Sequence, residues 1–193
     1  MDEILRKNVA RSSQTGFTLV ELLVVVTIIG LLVGLISVAV PTAIESGMKA
    51  KAKGELTSIV AAVKAYKQEY GRFPGDLTQS NCMFSSNSTP SVVSLINVLS
   101  GDSTNTLGDT QPANPKGVRF FEGSKGGTNG LPDPWDKQYM VIVDTAETGT
   151  ITYTNAGTAM NLRLSVLAFS YGKDGKADTA SGSKNDIFSA DLK

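Results

Sequence analysis

The hydrophobic pattern along the chain is uneven, with one dense apolar block near the N-terminus. The block covers residues 17–40 (FTLVELLVVVTIIGLLVGLISVAV), and Glu21 is its only charged residue. A helix needs about 20 apolar residues to cross the hydrocarbon core of a bilayer, and the block is long enough to do so. The pattern therefore predicts a membrane-spanning helix over 17–40.

A short polar leader, residues 1–16, precedes the block. Its basic residues are Arg6, Lys7 and Arg11. The positive-inside tendency favours a cytoplasmic position for such a leader. Lysines also follow the block closely, but long C-terminal domains cross the membrane largely regardless of charge. We therefore expect a cytoplasmic N-terminus and a translocated C-terminal domain.

Three ordinary interpretations of the block must also be considered. A cleaved secretory signal peptide has an apolar core of about 7–15 residues, and this block is longer. The junction of Val40 and Pro41 also makes a poor signal-peptidase site. A plain signal anchor and a buried core helix remain open at this point.

Helical periodicity continues after Pro41. Apolar residues recur at steps of three and four, with charged residues on the other positions. These apolar residues are Leu56, Ile59, Val60, Val63, Tyr66 and Tyr70. Gly71 is suited to a C-terminal cap, and Pro74 prevents continuation. The sequence thus predicts an amphipathic continuation of the helix over 41–70, followed by a globular head over 71–193.

The head changes in character along its length. Residues 72–130 are polar and rich in turn-forming residues, and they contain one predicted short helix over 91–99. Thr89 is a candidate cap for this helix, and Pro90 suits its first turn. The rest of 72–130 stays unassigned. Three later runs are rich in β-branched and aromatic residues and predict strands over 139–144, 150–155 and 163–170. An antiparallel sheet packed on the amphipathic helix gives an α+β fold.

The composition removes several kinds of chemistry. The chain has no histidine, which excludes Ser-His-Asp and Cys-His catalytic arrangements. Cys82 is the only cysteine, so the chain has no intrachain disulfide. Lys+Arg and Asp+Glu are equal at 18 each, which gives no reason to expect a nucleic acid partner. No catalytic constellation is visible, and we do not expect an enzyme.

The junction between leader and block carries a longer motif. Residues 15–21 (TGFTLVE) resemble the processing site of type IV prepilins and of the pseudopilins of type II secretion. The resemblance implies that a prepilin peptidase cuts after Gly16 and N-methylates Phe17, and that Glu21 acts in assembly. It also implies a pilin fold. The implied partners are the lipid bilayer, an inner-membrane assembly platform, and other copies of the chain and minor pilins in a filament.

The charge of Glu21 is consistent with that implied role. An ionised group at mid-membrane costs about 2.5–3.5 kcal/mol even on lenient scales, although the cost falls towards the ends of a span. After cleavage, Phe17 of a neighbouring subunit would present an ammonium group that can pair with the Glu21 carboxylate. Losing either partner would leave the other charge uncompensated.

A segment of the head extends the resemblance. Residues 131–139 (LPDPWDKQY) are similar to the Asp-Pro-Trp-Gly-x-Pro-Tyr segment that precedes the sheet of major type II pseudopilins. The chain departs from that pattern at Asp136 and Gln138, where the family has Gly and Pro. We interpret the segment as a proline-fixed turn with Trp135 packed beneath it.

A second head segment resembles the C-terminal calcium loop of the same pseudopilins. It comprises residues 170–178 (SYGKDGKAD) and 185–187 (NDI). The resemblance covers Asp174, Gly175, Asp186 and Ile187 and implies a calcium site. Asp178 adds a third carboxylate to the same loop, and Ca²⁺ takes several oxygen ligands, so we expect Asp174, Asp178 and Asp186 to hold the ion. A solvated acidic loop without metal is the alternative, and no other cofactor is expected.

These resemblances imply a structural subunit of a filament, most similar to the major pseudopilin of a type II secretion pseudopilus that aids protein export. A true type IV pilus subunit, serving adhesion, motility or DNA uptake, is the alternative. Either protein would be single-pass in the bacterial inner membrane, with its head in the periplasm. It would then be extracted into a periplasmic or surface filament.

The processing site yields a direct prediction. The native mature protein should begin with N-methylated Phe17, because Gly16 and Phe17 lie between a basic leader and an apolar helix. Intact mass and N-terminal sequencing of protein purified from its own host would measure this. A product that retains Met1, or one cut near Ala43, would contradict the prepilin interpretation.

Overall fold

In the computed structural model of the chain, the described residues are 16–75, 78–123, 131–155, 157–178 and 185–190. The chain divides into two compact units, with the division between Ile44 and Glu45. The predicted leader lies outside the described residues, apart from Gly16. The elements in chain order are α1 (Leu19–Tyr70), β1 (Cys82–Phe84), α2 (Val92–Leu99), β2 (Met140–Val143), β3 (Ile151–Asn155), β4 (Thr158–Leu162), β5 (Val166–Ser170), a 3₁₀ turn (Gly172–Asp174) and β6 (Ile187–Phe188).

In the first unit, the apolar block is helical and uncovered. All described residues from 16 to 44 are exposed. Among the residues that the structure describes, α1 alone is long and apolar enough to cross a membrane, and its most apolar window is not buried within the chain. The alternative of a buried core helix is therefore wrong for this block.

In the second unit, α1 is amphipathic as predicted. Its buried residues follow one stripe: Ala52, Leu56, Ile59, Ala62, Val63 and Tyr66. Burial of a side chain of the size of Leu or Ile contributes about 1.5–3 kcal/mol. The helix ends as the sequence indicates, because Gly71 adopts a φ of 70° and its N–H donates to the Lys67 carbonyl at 2.8 Å.

The main sheet has the order β1-β2-β5-β6, and all its pairings are antiparallel. Its two central strands, β2 and β5, are covered on both faces. Val141 and Ala168 pair in register and belong to the cluster that contains the buried stripe of α1. Ile142 and Leu167, also paired, point the other way, into a cluster that contains Tyr153 of β3. Successive residues of a strand face opposite sides, which produces this division.

The second cover is a hairpin that the sequence did not predict as such. The predicted strand over 150–155 exists as β3, but it pairs with β4 rather than joining the main sheet. Ile151 and Tyr153 are buried, whereas Thr152 and Thr154 are exposed. This alternation is typical of a strand with one solvated face. The continuous apolar runs of β2 and β5 instead suit strands that are buried on both faces.

The predicted helix over 91–99 is present, but the expected cap is wrong. Ser91, not Thr89, is the N-cap residue, and its hydroxyl accepts from the Ser94 N–H at 3.2 Å. The bond between Thr89 and Pro90 is cis, and Pro90 lies before the helix rather than within its first turn. A serine in this position is favoured because its short side chain satisfies one unpaired helical N–H group.

Candidate functional site: the helix N-terminus and the acidic loop

Thr18 and Glu21 form a reciprocal cap at the start of α1. The backbone N–H of Thr18 donates to Glu21 Oε2 at 2.9 Å, and the Thr18 hydroxyl donates to the same oxygen at 2.7 Å. In return, the Glu21 N–H donates to Thr18 Oγ1 at 3.1 Å. This is a capping box, in which a Thr and a Glu three residues later satisfy each other's backbone N–H groups.

The cap fixes Glu21 without covering it. Glu21 is exposed in the single chain, and both hydrogen bonds from Thr18 go to one carboxylate oxygen. The carboxylate is therefore held in place and remains accessible to an external cation. Of the cap and the charge, only the charge of Glu21 was recognised from the sequence. The Thr-x-x-Glu spacing is visible there and would also have predicted the cap.

The Asp-Pro-Trp segment forms a tight turn around Asp133. The Asp133 N–H donates to the Lys137 carbonyl at 2.6 Å, and Asp133 Oδ1 accepts from the N–H groups of Trp135 at 2.9 Å and Lys137 at 2.8 Å. Asp133 is only 3% exposed. Trp135 is partly buried against the main core, as predicted for a residue beneath this turn.

The structure also accounts for one position at which this segment differs from the pseudopilin pattern that it resembles. Asp136, which occupies the position of the family's glycine, has a φ of 60°. That region is left-handed and favours glycine, but aspartate and asparagine enter it more readily than other residues. The turn therefore keeps a glycine-like conformation although it carries a side chain.

Asp133 also reaches the acidic loop. Its Oδ2 accepts from the hydroxyl of Ser170 at 2.5 Å, and the Ser170 Oγ accepts from the N–H of Gly172 at 2.9 Å. Ser170 ends β5, and its side chain is fully buried. The two segments singled out in the sequence are thus joined by hydrogen bonds that span 37 residues of chain.

Two of the three predicted metal ligands lie together. The N–H of Asp178 donates to Asp186 Oδ2 at 3.0 Å, and the N–H of Asp186 donates back to Asp178 Oδ2 at 3.0 Å. Asp178 Oδ1 accepts from the Asn185 N–H at 3.1 Å. Asp174 accepts from the Lys176 N–H at 3.0 Å, within its own turn. Among the described residues, no group of three or more acidic, histidine or cysteine side chains is arranged to hold a metal ion.

Two oxygens beside these hydrogen bonds have no donor among the described residues. Asp186 Oδ1 and Asn185 Oδ1 are buried and have no hydrogen-bond partner within the described part of the chain. Burial raises the pKa of Asp186 to about 6, and the charges of Asp178 and Asp174 add to that effect, while the hydrogen bond from Asp178 opposes it. Unsatisfied oxygens under mutual repulsion fit the donor set of a hard cation such as Ca²⁺.

Comparison with known proteins agrees at the N-terminus. Residues 11–37 match the family described as the prokaryotic N-terminal methylation motif. No curated protein and no solved structure matches the chain. The motif supports a type IV pilin-like subunit that a prepilin peptidase processes and that assembles into a filament. Subunits of this kind are generally structural rather than enzymatic. The long apolar helix with an antiparallel sheet is consistent with a pilin fold.

The raised pKa of Asp186 predicts a pH dependence of stability. The ordinary pKa is 3.8 and the folded-state pKa is about 6, so folding favours the protonated form. Stability from this group is therefore fully present below pH 3.8 and is lost as pH rises to about 6. Thermal melting in chelator should show that Asp186→Asn gains stability over the unaltered protein across this window. A stability difference that does not change between about pH 4 and pH 7 would contradict the assignment.

Proposed function

We propose that the chain is the major pseudopilin of a type II secretion pseudopilus, a structural subunit that aids the export of folded proteins. The observation that carries this choice is the hydrogen bond that joins the Asp133 turn to the acidic loop. Both segments resemble those of major pseudopilins, and Asp133 and Ser170 join them directly. A true type IV pilus subunit is the alternative.

The proposed precursor is cut between Gly16 and Phe17, and the new N-terminus is methylated. In the filament, Glu21 would receive the ammonium group of Phe17 from a neighbouring subunit. The capping box supports this role, because it holds an exposed carboxylate at the first turn of α1. Each charge then has a partner in an apolar surrounding, which sets the stagger between subunits.

The proposed location is the bacterial inner membrane, with residues 17–40 spanning the bilayer and the head in the periplasm. The uncovered apolar residues of α1 support this location, because hydrocarbon or neighbouring helices would remove them from water. Assembly would transfer the same surface from lipid to other subunits of the filament.

A strain in which the gene is replaced by Glu21→Leu tests both the function and the residue. The variant should insert into the membrane at least as well as the unaltered protein, but it should fail to form filaments. Export of secreted proteins into the medium should fall to the level of the deletion strain. A matched control is Thr27→Leu, which removes another polar side chain of the same helix and should leave export intact.

The two candidate functions separate in that strain. Lost export with normal surface filaments supports the pseudopilus. Lost surface filaments with normal export supports the true pilus instead. Normal filaments and normal export together would refute the assembly role of Glu21.

We further propose that three residues of the acidic loop, Asp174, Asp178 and Asp186, bind Ca²⁺. The paired carboxylates and the unpartnered oxygens of Asn185 and Asp186 support this choice. When bound, the ion would place a positive charge beside the carboxylates of Asp178 and Asp186. Asp178 and Asp186 hold each other's backbone N–H groups, which keeps both carboxylates in place.

Calcium should raise the melting temperature of the full-length protein in detergent micelles. Weak extracellular sites bind at roughly 10⁻⁴–10⁻³ M, so 10 mM Ca²⁺ would add about 1.4–2.7 kcal/mol. For a chain of this size that corresponds to roughly 3–10 °C. Asp174→Ala and Asp186→Ala should abolish the difference between calcium and chelator, whereas Glu122→Ala, at an exposed position, should not. Identical melting of the unaltered protein in both conditions would refute the site.

A further inference from the structure

Asp133 lies outside the acidic loop, yet it is bonded to the residue from which the loop departs. Its carboxylate accepts three hydrogen bonds: two hold its own turn and the third comes from the Ser170 hydroxyl. All three donors belong to the described chain, so this buried carboxylate is well satisfied. It has the character of a fixed anchor rather than of a ligand that waits for a partner.

Ser170 connects Asp133 to the acidic loop through two hydrogen bonds. As the last residue of β5 it donates to Asp133, and its oxygen accepts from the Gly172 N–H at 2.9 Å. Gly172 has a φ of 65°, which a side chain would strain. A Cβ atom there would also overlap the carbonyl oxygen of Asn185. The position of Gly172 therefore determines how closely the returning chain at Asn185 can approach.

The returning chain carries the proposed ligands. Asn185 and Asp186 donate their N–H groups to the two oxygens of Asp178. Lys137, whose N–H group Asp133 holds, packs its side chain against the Cα position of Gly175. The Asp133 turn thus contacts the first part of the loop, at Ser170 and Gly175. In the same part, Gly172 contacts Asn185 of the returning chain.

We propose that Asp133 and Ser170 are positioning residues that set the acidic loop, and with it the oxygen ligands of the cation, without touching the ion. The proposal rests on the calcium site proposed above. Residues that orient metal ligands through hydrogen bonds typically change metal affinity by 10–100-fold when they are replaced.

The experiment uses full-length protein in detergent micelles, with Ca²⁺ affinity measured by calorimetric titration. Ser170→Ala removes the linking hydroxyl and should weaken affinity about tenfold or more, as should Asp133→Asn. The matched controls act on Asp144, a second buried aspartate at the other end of β2. Its carboxylate accepts from Thr148 and Gly149 within a different turn. Thr148→Val and Asp144→Asn should lower the melting temperature in chelator but change calcium affinity by less than about twofold.

A second readout separates this proposal from the calcium site itself. In chelator, backbone amides of residues 171–178 should exchange hydrogen faster in Ser170→Ala and Asp133→Asn than in the two controls. The inference is overturned if the Ser170 and Asp133 variants lose no more affinity than the controls and exchange at the control rate. If the unaltered protein binds no Ca²⁺, the metal site fails. Faster exchange confined to these two variants would then still support their positioning of the loop, and equal exchange would refute it.

Discussion

The constraint on which the chain depends is that the first part of α1 has no cover of its own. Its large apolar residues from Leu19 to Ile44 are exposed, and removing apolar surface from water contributes about 25 cal/mol per Å². No described residue of the first unit provides that burial. Hydrocarbon and neighbouring apolar helices are the surroundings that can provide it, and under the proposed function the chain would meet both in turn.

The second unit buries its own apolar surface, because its main sheet is covered on both faces. Patterns alone predicted the amphipathic half of α1, its end at Gly71 and the α+β class. They did not predict that β3 pairs outside the main sheet, because its partner β4 follows it directly in the chain and was not recognised as a strand. Neither β1 nor β4 carries a strong strand pattern. β1 has three residues, and β4 contains polar residues that read as a continuation of the turn.

The candidate sites divide in the same way. The resemblance of residues 15–21 to prepilin processing sites identified Gly16, Phe17 and Glu21 as a motif, and the residues matched by the family, 11–37, include all of them. The resemblance to pseudopilins also singled out the acidic loop and the Asp133 turn, but it did not indicate that the two segments are in contact. The contact between Asp133 and Ser170 becomes visible only once β2 and β5 pair, because that pairing brings the two segments to the same end of the sheet.

Glu21 and the acidic loop pose one electrostatic problem in two settings. In each, backbone N–H groups hold a carboxylate in place but do not neutralise it. A hydrogen bond from a neutral amide fixes geometry, whereas full compensation needs a cation. Under the proposed function, that cation is a neighbour's ammonium group at Glu21 and Ca²⁺ at Asp178 and Asp186. Both cations come from outside the chain. These carboxylates would therefore be uncompensated in a monomer without calcium and compensated in a filament with calcium.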